Sequence, residues 1–507
     1  MHTNKIISIK AVGNQVLLKS ADADLHSIYF HDESKITAKS LKSISFPTSI
    51  EQISSEMSYC YNKDIPIRIS GARTGLAAGA VPLEDEHLIS LTKLNKIIEL
   101  TLDNNIIVQA GVSLKEVNSY LDENNPELLF PVDPTETSAS IAGAVATNAG
   151  GARSFKYGSM RSWVEGLTVI LPCGDILKLK RGQYKAKDFK FEIEDSYSKR
   201  SLEAKKITKP KTKNTLSYSF EEDVDLIDLF IGSEGTLGVI VEVELGLISR
   251  PKERLFLLQL FEDEQVALSF VKNCRDQKSL DCLYIECCDK RSLDLAKQSS
   301  IAKTNRAVKI IKDSHVAAVM LEIDISKSNF ETAYEMLSDL LTEVSMEDSI
   351  AGMEEKDLRE IKAFRHAIPE TINQIIAKRK QEFPNIHKLG TDMAVPDQHL
   401  FDVYKLYKET LSKAKLDFTI FGHAGNNHFH VNILPKDEKE LELAKEKYYD
   451  IAKAIVELDG AVSAEHGIGK LKKEFLNLQY DSSVFEQFKK IKDFFDPKNL
   501  INREVFF

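Results

Sequence analysis

The stretch IPIRISGARTGLAAGAVP, residues Ile65 to Pro82, joins a short apolar run to a loop rich in glycine. The apolar run predicts a β-strand, and the loop behind it contains Gly71, Gly75 and Gly79. Because glycine reaches backbone angles that are closed to other residues, successive N–H groups in such a loop can converge on phosphate oxygens. A flexible turn is the other interpretation, since glycine loops after strands are common.

Capped helices and a further strand flank this loop. Thr48 and Glu51, three residues apart, predict a capping box that opens a helix before an apolar stretch. Downstream, residues 106–110 predict a strand, and Ser113 with Glu116 predicts a second capping box and a helix behind it. The region therefore repeats a unit of strand and helix around the glycine loop.

Two later segments are also rich in small residues: PVDPTETSASIAGAVATNAGGARSFKYGS, residues 131–159, and IGSEGTLGVIVEVEL, residues 231–245. Small side chains over such a length indicate either backbone that approaches a large flat ligand or helices that pack very closely. The second segment ends in an alternating strand, so its glycines predict a turn that presents backbone to a site. Polar side chains in the first segment favour the ligand: Thr137, Ser138, Thr147 and Asn148.

Length and charge narrow the class of protein. At 507 residues the chain exceeds the roughly 250–300 residues at which a single core stops growing, so at least two domains are expected. With 43% hydrophobic and 28% charged residues, it has the composition of a folded globular protein. The net charge of −10 argues against a nucleic-acid partner, which needs clustered lysine and arginine. Motifs for a Rossmann fold, a P-loop and an H-E-x-x-H zinc protease are absent.

No membrane span is expected, because no run approaches the roughly 20 apolar residues required. Residues 1–18 are broken by polar side chains and do not predict a signal peptide. We therefore expect a cytoplasmic protein, with peripheral contact at the inner face of a membrane left open. The cysteines are too sparse for a disulfide framework, and buried thiols are expected rather than an iron–sulfur or zinc cluster: Cys60, Cys173, Cys274, Cys282, Cys287 and Cys288.

The pattern of the chain changes twice after the glycine segments. Residues 181–217 are polar, lysine-rich and weakly periodic, which predicts an excursion or mobile loop with a solvated charge run; a binding surface is the alternative. From Pro251 onward, strands and helices alternate, which predicts a second α+β domain with helices on one face of a small sheet. The expected strands are 254–261, 282–287 and 316–324, and the expected helices are 264–274 and 329–344.

The densest group of histidines lies in FTIFGHAGNNHFHVNIL. A hairpin with a two-residue turn at Asn426-Asn427 would place His423 opposite His430, about 4.5–5.5 Å apart at Cβ. His428 and Asn432 would lie on the same face as His430, because strand side chains alternate. Two imidazoles at that separation can share one metal ion, whereas a lone histidine is more often a hydrogen-bonded structural residue.

A carboxylate is expected to complete such a site. The segment AVSAEHGIGK supplies Glu465 and a further imidazole, His466, beside two glycines. A catalytic zinc-type site uses about three protein ligands and leaves one position open. His423, His430 and Glu465 satisfy that number.

Six segments together resemble the FAD-linked dehydrogenases of the vanillyl-alcohol-oxidase superfamily, within its group of D-lactate, D-2-hydroxyglutarate and glycolate dehydrogenases. They are SGARTGLAAGAVP, residues 131–159, IGSEGTLGVI, FGHAGNNHFHVN, SAEHGIG and FDPKNLIN, in the order of the family. The resemblance runs from about Pro47 to Asn502 and implies an α+β fold, with a PCMH-type FAD-binding domain and an α+β substrate or cap domain. The implied boundaries are an N-terminal extension 1–46, the FAD-binding domain 47–250, the cap domain with the metal hairpin 251–440, and a C-terminal segment 441–507 that returns to the FAD domain.

The resemblance also implies roles for individual residues. Expected catalytic residues are the base His466, the carboxylate clamp Arg365 and the orienting Asn432, and expected ligands of Zn²⁺ or Mn²⁺ are His423, His430 and Glu465. Expected FAD contacts are Gly71, Ala72, Arg73, Thr74, Gly75, Leu76, Pro131, Thr137, Ser138, Ala142, Gly143, Asn148, Gly151, Tyr157, Gly158, Gly238, Val239 and Asn502.

The sequence departs from the family pattern at several positions. Residues 426–428 replace the usual Asp-Gly-Asn of the metal hairpin. Of the Arg, Thr and Lys that hold substrate carboxylates in the family, Arg365 matches, Pro369 takes the Thr position and Lys388 lies two residues off register. Ala142 replaces a customary glycine near the flavin.

The activity implied is oxidation of a D-2-hydroxy acid, such as D-lactate, glycolate or D-2-hydroxyglutarate, to the 2-oxo acid. The metal would assist substrate binding, His466 would take the hydroxyl proton, and the hydride would pass to flavin N5. The expected electron acceptor is a quinone, an electron-transfer flavoprotein or a cytochrome, with a homodimer or an iron–sulfur partner subunit left open. The alternatives are a flavoprotein oxidase that uses O₂, an FAD-bearing electron-transfer subunit of a larger complex, and a metal hydrolase with the same ligands.

Overall fold

The structure, a computed structural model, describes residues 5–7, 19–20, 27–197, 199–341, 344 and 346–506. Part of the expected extension, residues 1–46, lies outside these ranges. The expected α+β class is confirmed, because strands and helices mix throughout the described chain and gather into a first domain and a cap domain.

The first domain combines a mostly parallel sheet with an antiparallel one. In the parallel sheet, the strand Ile67–Ser70 pairs with His87–Ser90 and leads directly into the glycine loop. In the antiparallel sheet, Val239–Gly246 lies between Asn105–Gln109 and Val164–Ile170. The other strands of this domain are Lys5–Ile7, Lys19–Ser20, Ser43–Ser45, Ile97–Leu100, Leu128–Leu129, Ile176–Lys180, Lys190–Glu194, Lys199–Glu203 and Ile248–Ser249. Its helices are Ile50–Asn62, Leu114–Asn124, Ile141–Ala146, Ser154–Tyr157 and Ile227–Phe230.

Helix starts in this domain follow local capping chemistry. The first helix begins after Ser49 rather than Thr48, because the Ser49 hydroxyl accepts a hydrogen bond from Gln52 N at 3.3 Å. The predicted capping box with Glu51 is therefore wrong. The second box, Ser113 to Glu116, is confirmed, since each side chain accepts from the backbone N–H of the other, at 3.1 and 2.7 Å.

The described part of residues 181–217, which leaves out residue 198, is folded and is not a structureless loop. The strands Lys190–Glu194 and Lys199–Glu203 make a hairpin, with Phe191 and Ile193 buried between outward charged residues. That alternation is a period-two signal, which the lysine content of the segment obscured. Beyond the hairpin, the chain contacts a segment near the C-terminus. Thr215 N donates a hydrogen bond to Ser463 O there, at 2.9 Å.

The cap domain is built on an antiparallel sheet. Its strand Arg254–Phe261 has the predicted bounds, while Cys282–Asp289 and Ala317–Asp324 differ from prediction by one or two residues. The further strands are Ser349–Gly352, Leu389–Gly390, Met393–Ala394, Phe418–His423 and His428–Ile433. The helices after Pro251 are Glu264–Asp276, Lys290–Gln298, Arg306–Lys309, Phe330–Leu340, Glu355–Arg379, Leu400–Lys413, Glu438–Glu457, Lys473–Gln479 and Ser482–Phe495.

Helices cover both faces of this sheet, so the prediction of helices on one face is wrong. Leu257 and Leu258 are adjacent in one strand and therefore point to opposite faces. Leu257 shares a core with Leu268 of the helix Glu264–Asp276, and Leu258 shares another with Phe364 of the helix Glu355–Arg379. The continuous apolar run LFLLQLF is the sequence signal for a strand buried on both faces.

The histidine hairpin forms as predicted, but its register differs. The strands Phe418–His423 and His428–Ile433 pair so that His423 faces His428, while His430 faces Phe421. The predicted pairing of His423 with His430 is wrong, because the turn is a 3₁₀ segment over residues 424–426 followed by Asn427 at φ +49°, and not a two-residue turn. His428 and His430 still share one face with Asn432.

The segment 441–507 divides between the two domains. The helix Glu438–Glu457 packs against the cap helix Leu400–Lys413. Further along, Ile501 bridges Ile67 of the first domain in parallel, and Asn502 Oδ1 accepts from Ile69 N at 2.9 Å. Only the later part of this segment therefore returns to the first domain.

A buried ion pair joins the two domains. Arg153, in the small-residue segment of the first domain, donates from Nε and NH2 to Glu322 of the cap sheet at 3.0 and 2.8 Å. A bidentate guanidinium–carboxylate pair fixes both distance and orientation. None of the helices that the structure describes is long and apolar enough to cross a bilayer.

Candidate active site

The glycine loop, the small-residue segments and the histidine cluster enclose one cavity of about 310 Å³. Its volume is within the range of about 300–1,000 Å³ that is usual for ligand sites. His430, Glu465 and His466 form part of its wall. Of the expected FAD contacts, those that line it are Gly71, Ala72, Arg73, Thr74, Gly75, Leu76, Ala142, Gly143, Gly238, Val239 and Asn502.

Other expected FAD contacts are not part of this wall: Pro131, Thr137, Ser138, Asn148, Gly151, Tyr157 and Gly158. Asn148 instead shapes the backbone, because its Oδ1 accepts from Ser159 Oγ at 2.8 Å and from Arg161 N at 3.0 Å. Gly151 is required for close packing, since a Cβ there would lie 2.1 Å from Asp133 O.

The cavity also has walls that sequence reasoning did not assign to it, among them Asp32, Thr135, Ser140, Glu234 and Gly235. Glu234 and Gly235 belong to the segment of residues 231–245, whose glycines predicted a turn that presents backbone to a site. Asp32 lies in the expected N-terminal extension and had no such signal.

The wall is shaped for a long ligand that approaches backbone. A Cβ on Gly71 would lie 2.5 Å from Ser140 Oγ, so a larger residue there would have to displace the Ser140 hydroxyl. Small residues from three segments remove side-chain bulk along the cavity, and the glycine loop begins at the end of a strand. These residues fit a flat dinucleotide with a phosphate group at the glycine loop.

The hairpin histidines and Glu465 meet at one point. One ligand atom from each of His423, His428, His430 and Glu465 lies within 4.8 Å of every other. Glu465 Oε1 is 3.5 Å from His423 Nε2, and Glu465 Oε2 is 3.9 Å from His430 Nε2. Two imidazole nitrogens and a carboxylate form a donor set that suits Zn²⁺ or Mn²⁺, so these residues fit a divalent ion.

Electrostatics favour the protonation states that a metal needs at His430 and Glu465, but not at His423, where burial would lower the pKa and Glu465 outweighs it, so that the pKa lies above its ordinary value. Burial lowers the pKa of His430 well below its ordinary value, which leaves its imidazole neutral. Burial would raise the pKa of Glu465, but Lys213 and His423 outweigh it and hold that pKa well below the ordinary value. Lys213 comes from the segment 181–217, and its Nζ donates to Glu465 Oε1.

Asp392 holds the loop that carries Glu465 and His466. Its carboxylate accepts the backbone N–H groups of these two residues at 3.0 and 2.9 Å. Lys472 Nζ donates to the same carboxylate at 2.6 Å, and Ser463 Oγ donates to it at 2.8 Å. Sequence reasoning missed Asp392, because it lies more than 70 residues from its partners.

His466 lies next to Glu465 in the cavity wall, and its ring stacks on His430 with centroids 5.8 Å apart. Burial lowers the pKa of His466 below its ordinary value of 6.5. The neutral imidazole can therefore accept a proton near pH 7.

Arg365 is held at the edge of the same site. It donates from Nε and NH2 to Glu286 at 3.1 Å, and its NH1 is 3.5 Å from Thr135 Oγ1 in the cavity wall. Glu286 Oε1 also lies 3.0 Å from His423 Nδ1, so one carboxylate links the clamp to the histidine cluster. Burial would raise the pKa of Glu286, but Arg365 and His423 hold it below the ordinary value.

Asn432, Pro369 and Lys388 are not part of the cavity wall. Asn432 is buried on the strand face that carries His430. Pro369 lies inside the helix Glu355–Arg379, and burial together with Lys35 lowers the pKa of Lys388. The structure thus brings His423, His430, Glu465 and His466 together, with Arg365 beside them.

Comparison with known families accounts for both domains. Residues 42–180 match the family described as FAD binding domain, and residues 250–505 match FAD linked oxidases, C-terminal domain. The chain belongs to the FAD-linked oxidase family. It is an FAD-dependent oxidoreductase, and the second match covers the histidine hairpin, Glu465 and His466.

Several relatives of this FAD-linked oxidase match over nearly the whole chain. A D-lactate dehydrogenase from Anaerostipes hadrus is 29% identical over 94% of this chain and 92% of its own length. A D-2-hydroxyglutarate dehydrogenase from Xanthomonas citri pv. viticola is 26% identical over 98% of this chain and 96% of its own. Among solved structures, an alkyldihydroxyacetonephosphate synthase superposes with a TM-score of 0.62 at 16% identity, over 91% of this chain and 76% of that one. The last likeness concerns the fold alone.

Proposed function

We propose that this FAD-linked oxidase oxidises a D-2-hydroxy acid to the 2-oxo acid, with help from a divalent metal. One observation supports this more than any other: His430, Glu465 and His466 form a wall of the cavity that the glycine loop also lines. A substrate in contact with the histidine cluster would thus lie next to the flavin site. The names of the relatives from Anaerostipes hadrus and Xanthomonas citri point to the same class of substrate.

The glycine loop, with Gly71 to Leu76, would hold the pyrophosphate of FAD through its backbone. Ala142, Gly143, Gly238 and Val239 would leave room for the flat ring, and Asn502 would hold the strand that precedes the loop through its bond with Ile69 N. Bound FAD would supply the redox chemistry, by accepting the hydride from C2 of the substrate.

His423, His430 and Glu465 would hold Zn²⁺ or Mn²⁺, which supplies Lewis acidity for a hydroxyl and carboxylate oxygen. His466 would take the proton of the substrate hydroxyl on its imidazole as the C2–O bond becomes a carbonyl. Arg365 would hold the substrate carboxylate with its NH1 group, while Glu286 fixes the rest of the guanidinium. Asn432 would orient the substrate from the strand face of His430.

Reduced cofactor must pass its electrons to an acceptor, for which we propose a quinone, an electron-transfer flavoprotein or a cytochrome. A relative from Saccharomyces cerevisiae, 24% identical over 96% of this chain, is named D-lactate dehydrogenase [cytochrome] 1. That name concerns the relative. It suggests a cytochrome as the first electron acceptor to test in turnover assays of this protein.

Anaerobic bleaching of the flavin tests the proposal. D-lactate, glycolate and D-2-hydroxyglutarate are added to the yellow protein without oxygen, next to their L-enantiomers where these exist. We expect loss of the visible flavin band with a D-acid and slower loss after treatment with a chelator. If none of the D-acids bleaches a protein that retains FAD, the proposed substrate class is wrong. Peroxide release under air would instead identify an oxidase.

A further inference from the structure

A lysine side chain contacts the carboxylate of the proposed metal site. Lys213 Nζ donates to Glu465 Oε1, the oxygen that lies 3.5 Å from His423 Nε2. Its second contact is Gly151 O at 3.2 Å, in the small-residue segment of the first domain. Only 7% of the Lys213 side chain is exposed, so the ammonium group is not a surface charge that happens to lie nearby.

The position of Lys213 is fixed by its neighbours on both sides. Thr212 Oγ1 donates to Val395 O at 3.1 Å, which ties the preceding residue to the cap domain. Thr215 N donates to Ser463 O at 2.9 Å, and Thr215 Oγ1 accepts from Gly467 N at 3.1 Å. These last two bonds attach the lysine segment to the same loop that carries Glu465.

A divalent metal ion and the ammonium group of Lys213 cannot both bind the Glu465 carboxylate without a cost in free energy. A divalent ion bound by His423, His430 and Glu465 would lie within a few ångströms of the ammonium group. Repulsion between charges so close is strong, because a buried pair is poorly screened by water. The ion and the lysine therefore compete for Glu465.

We propose that Lys213 is the resident cation of this cluster and competes with the divalent metal for Glu465. This inference rests on the proposed function, since it presumes that His423, His430 and Glu465 are the metal ligands. Lys213 neutralises Glu465 and keeps it in place while the metal is absent. Binding of the metal requires the ammonium group to leave Glu465 Oε1, so the lysine sets how tightly the site holds its ion.

Metal titration of FAD-loaded protein tests the proposal. Wild type and Lys213→Met are treated with chelator, dialysed and titrated with Zn²⁺ and with Mn²⁺ in a calorimeter. We expect the Kd of Lys213→Met to be lower than that of wild type by at least about tenfold, because the competing charge is gone. Lys213→Arg keeps a cation and should remain near the wild-type Kd. Lys211→Met, at an exposed lysine of the same segment, is the matched control and should leave the Kd unchanged.

The outcomes separate this inference from the metal role itself. If wild type binds the ion and Lys213→Met binds it equally or more weakly, the competition is disproved while the metal role stands. If neither protein binds an ion, the metal role in the proposed function is wrong and the inference falls with it. Tighter binding by Lys213→Met supports the inference, and binding by that variant alone would support it most strongly.

A second measurement covers the case in which Lys213→Met does not retain FAD. A crystal structure of the wild-type holoprotein with Zn²⁺ should show Lys213 Nζ withdrawn from Glu465 Oε1. An ion bound by His423, His430 and Glu465 with the lysine contact intact would overturn the proposal.

Discussion

Asp392 and Lys472 form a buried ion pair, with Oδ2 and Nζ 2.6 Å apart, beneath the loop that carries the proposed base. The same carboxylate accepts the backbone N–H groups of Glu465 and His466. Asp392 thus positions a proposed ligand and a proposed base together, although it is not part of the cavity wall.

Asp392→Asn should weaken metal binding more than flavin binding. An amide has one acceptor oxygen and no charge, so it cannot hold both N–H groups and balance Lys472. Loss of such a supporting contact typically costs about 10–100-fold in metal affinity. Calorimetric titration with Zn²⁺ measures the effect, and FAD content per chain shows whether the fold is retained. Asp397→Asn, at an exposed carboxylate, serves as the control; equal Kd values for both variants would contradict the role.

His423→Ala should remove bound metal and most turnover while the protein stays yellow. The histidine lies in the cap hairpin and is not part of the cavity wall, so flavin contacts remain. Metal analysis after dialysis and the flavin absorbance give two independent readings. His387→Ala removes an exposed histidine and should change neither. Unchanged metal content in His423→Ala would show that the ion, if any, binds elsewhere.

Arg365→Met should raise the KM for the hydroxy acid and lower kcat/KM by at least about 30-fold. Removal of one partner of a buried charge pair costs about 2–5 kcal/mol, and here it also leaves Glu286 without its cation. Steady-state kinetics with D-lactate check this. Arg359 lies on the same helix, and its side chain is exposed. The control variant Arg359→Met should therefore have the kinetics of the wild type. Matching losses in both variants would mean that helix stability, not carboxylate binding, was affected.

Glu234 should make stability fall as pH rises through neutrality. Burial raises the pKa of Glu234 to about 7, against hydrogen bonds from Ile468 N and Gly469 N that lower it. The folded protein therefore holds this proton more tightly than the unfolded chain, whose value is near 4.5. The contribution is complete below pH 4.5 and is lost as pH rises through about 7, with a total of roughly 3 kcal/mol.

Denaturant unfolding at pH 5 and pH 8 measures this effect, in wild type and in Glu234→Gln. The free energy of unfolding of wild type should drop between these values by more than that of the variant, which cannot lose a proton. Glu222→Gln, at an exposed position, should keep the wild-type pH dependence. A parallel pH dependence of Glu234→Gln and wild type would refute the assignment.

Local pattern predicted the parts of the site that are close in sequence. The glycine loop, the hairpin strands and the segment with Glu465 and His466 all have signals within about ten residues. The hairpin register failed because Asn427 takes the left-handed conformation after a 3₁₀ turn, and two turn types fit the same letters. The predicted register is therefore wrong, while the sharing of a metal ion by these imidazoles stays a prediction.

Long-range partners had no such signal. Lys213 lies 252 residues from Glu465, and Glu234 lies 234 residues from Ile468. From the sequence alone, a lysine in a polar segment is expected to be exposed to solvent. Only the tertiary structure shows that Lys213 contacts Glu465. Burial against a distant carboxylate depends on the tertiary arrangement, which no periodicity of residues 181–217 encodes.

The bond between Asn502 and Ile69 spans 433 residues. During synthesis, the strand beside the glycine loop emerges from the ribosome long before its partner does. The edge of that sheet therefore remains exposed while the whole cap domain is translated. Since Asn502 also lines the cavity, the complete wall forms only after the C-terminal segment has been made, and we expect the cofactor to bind late.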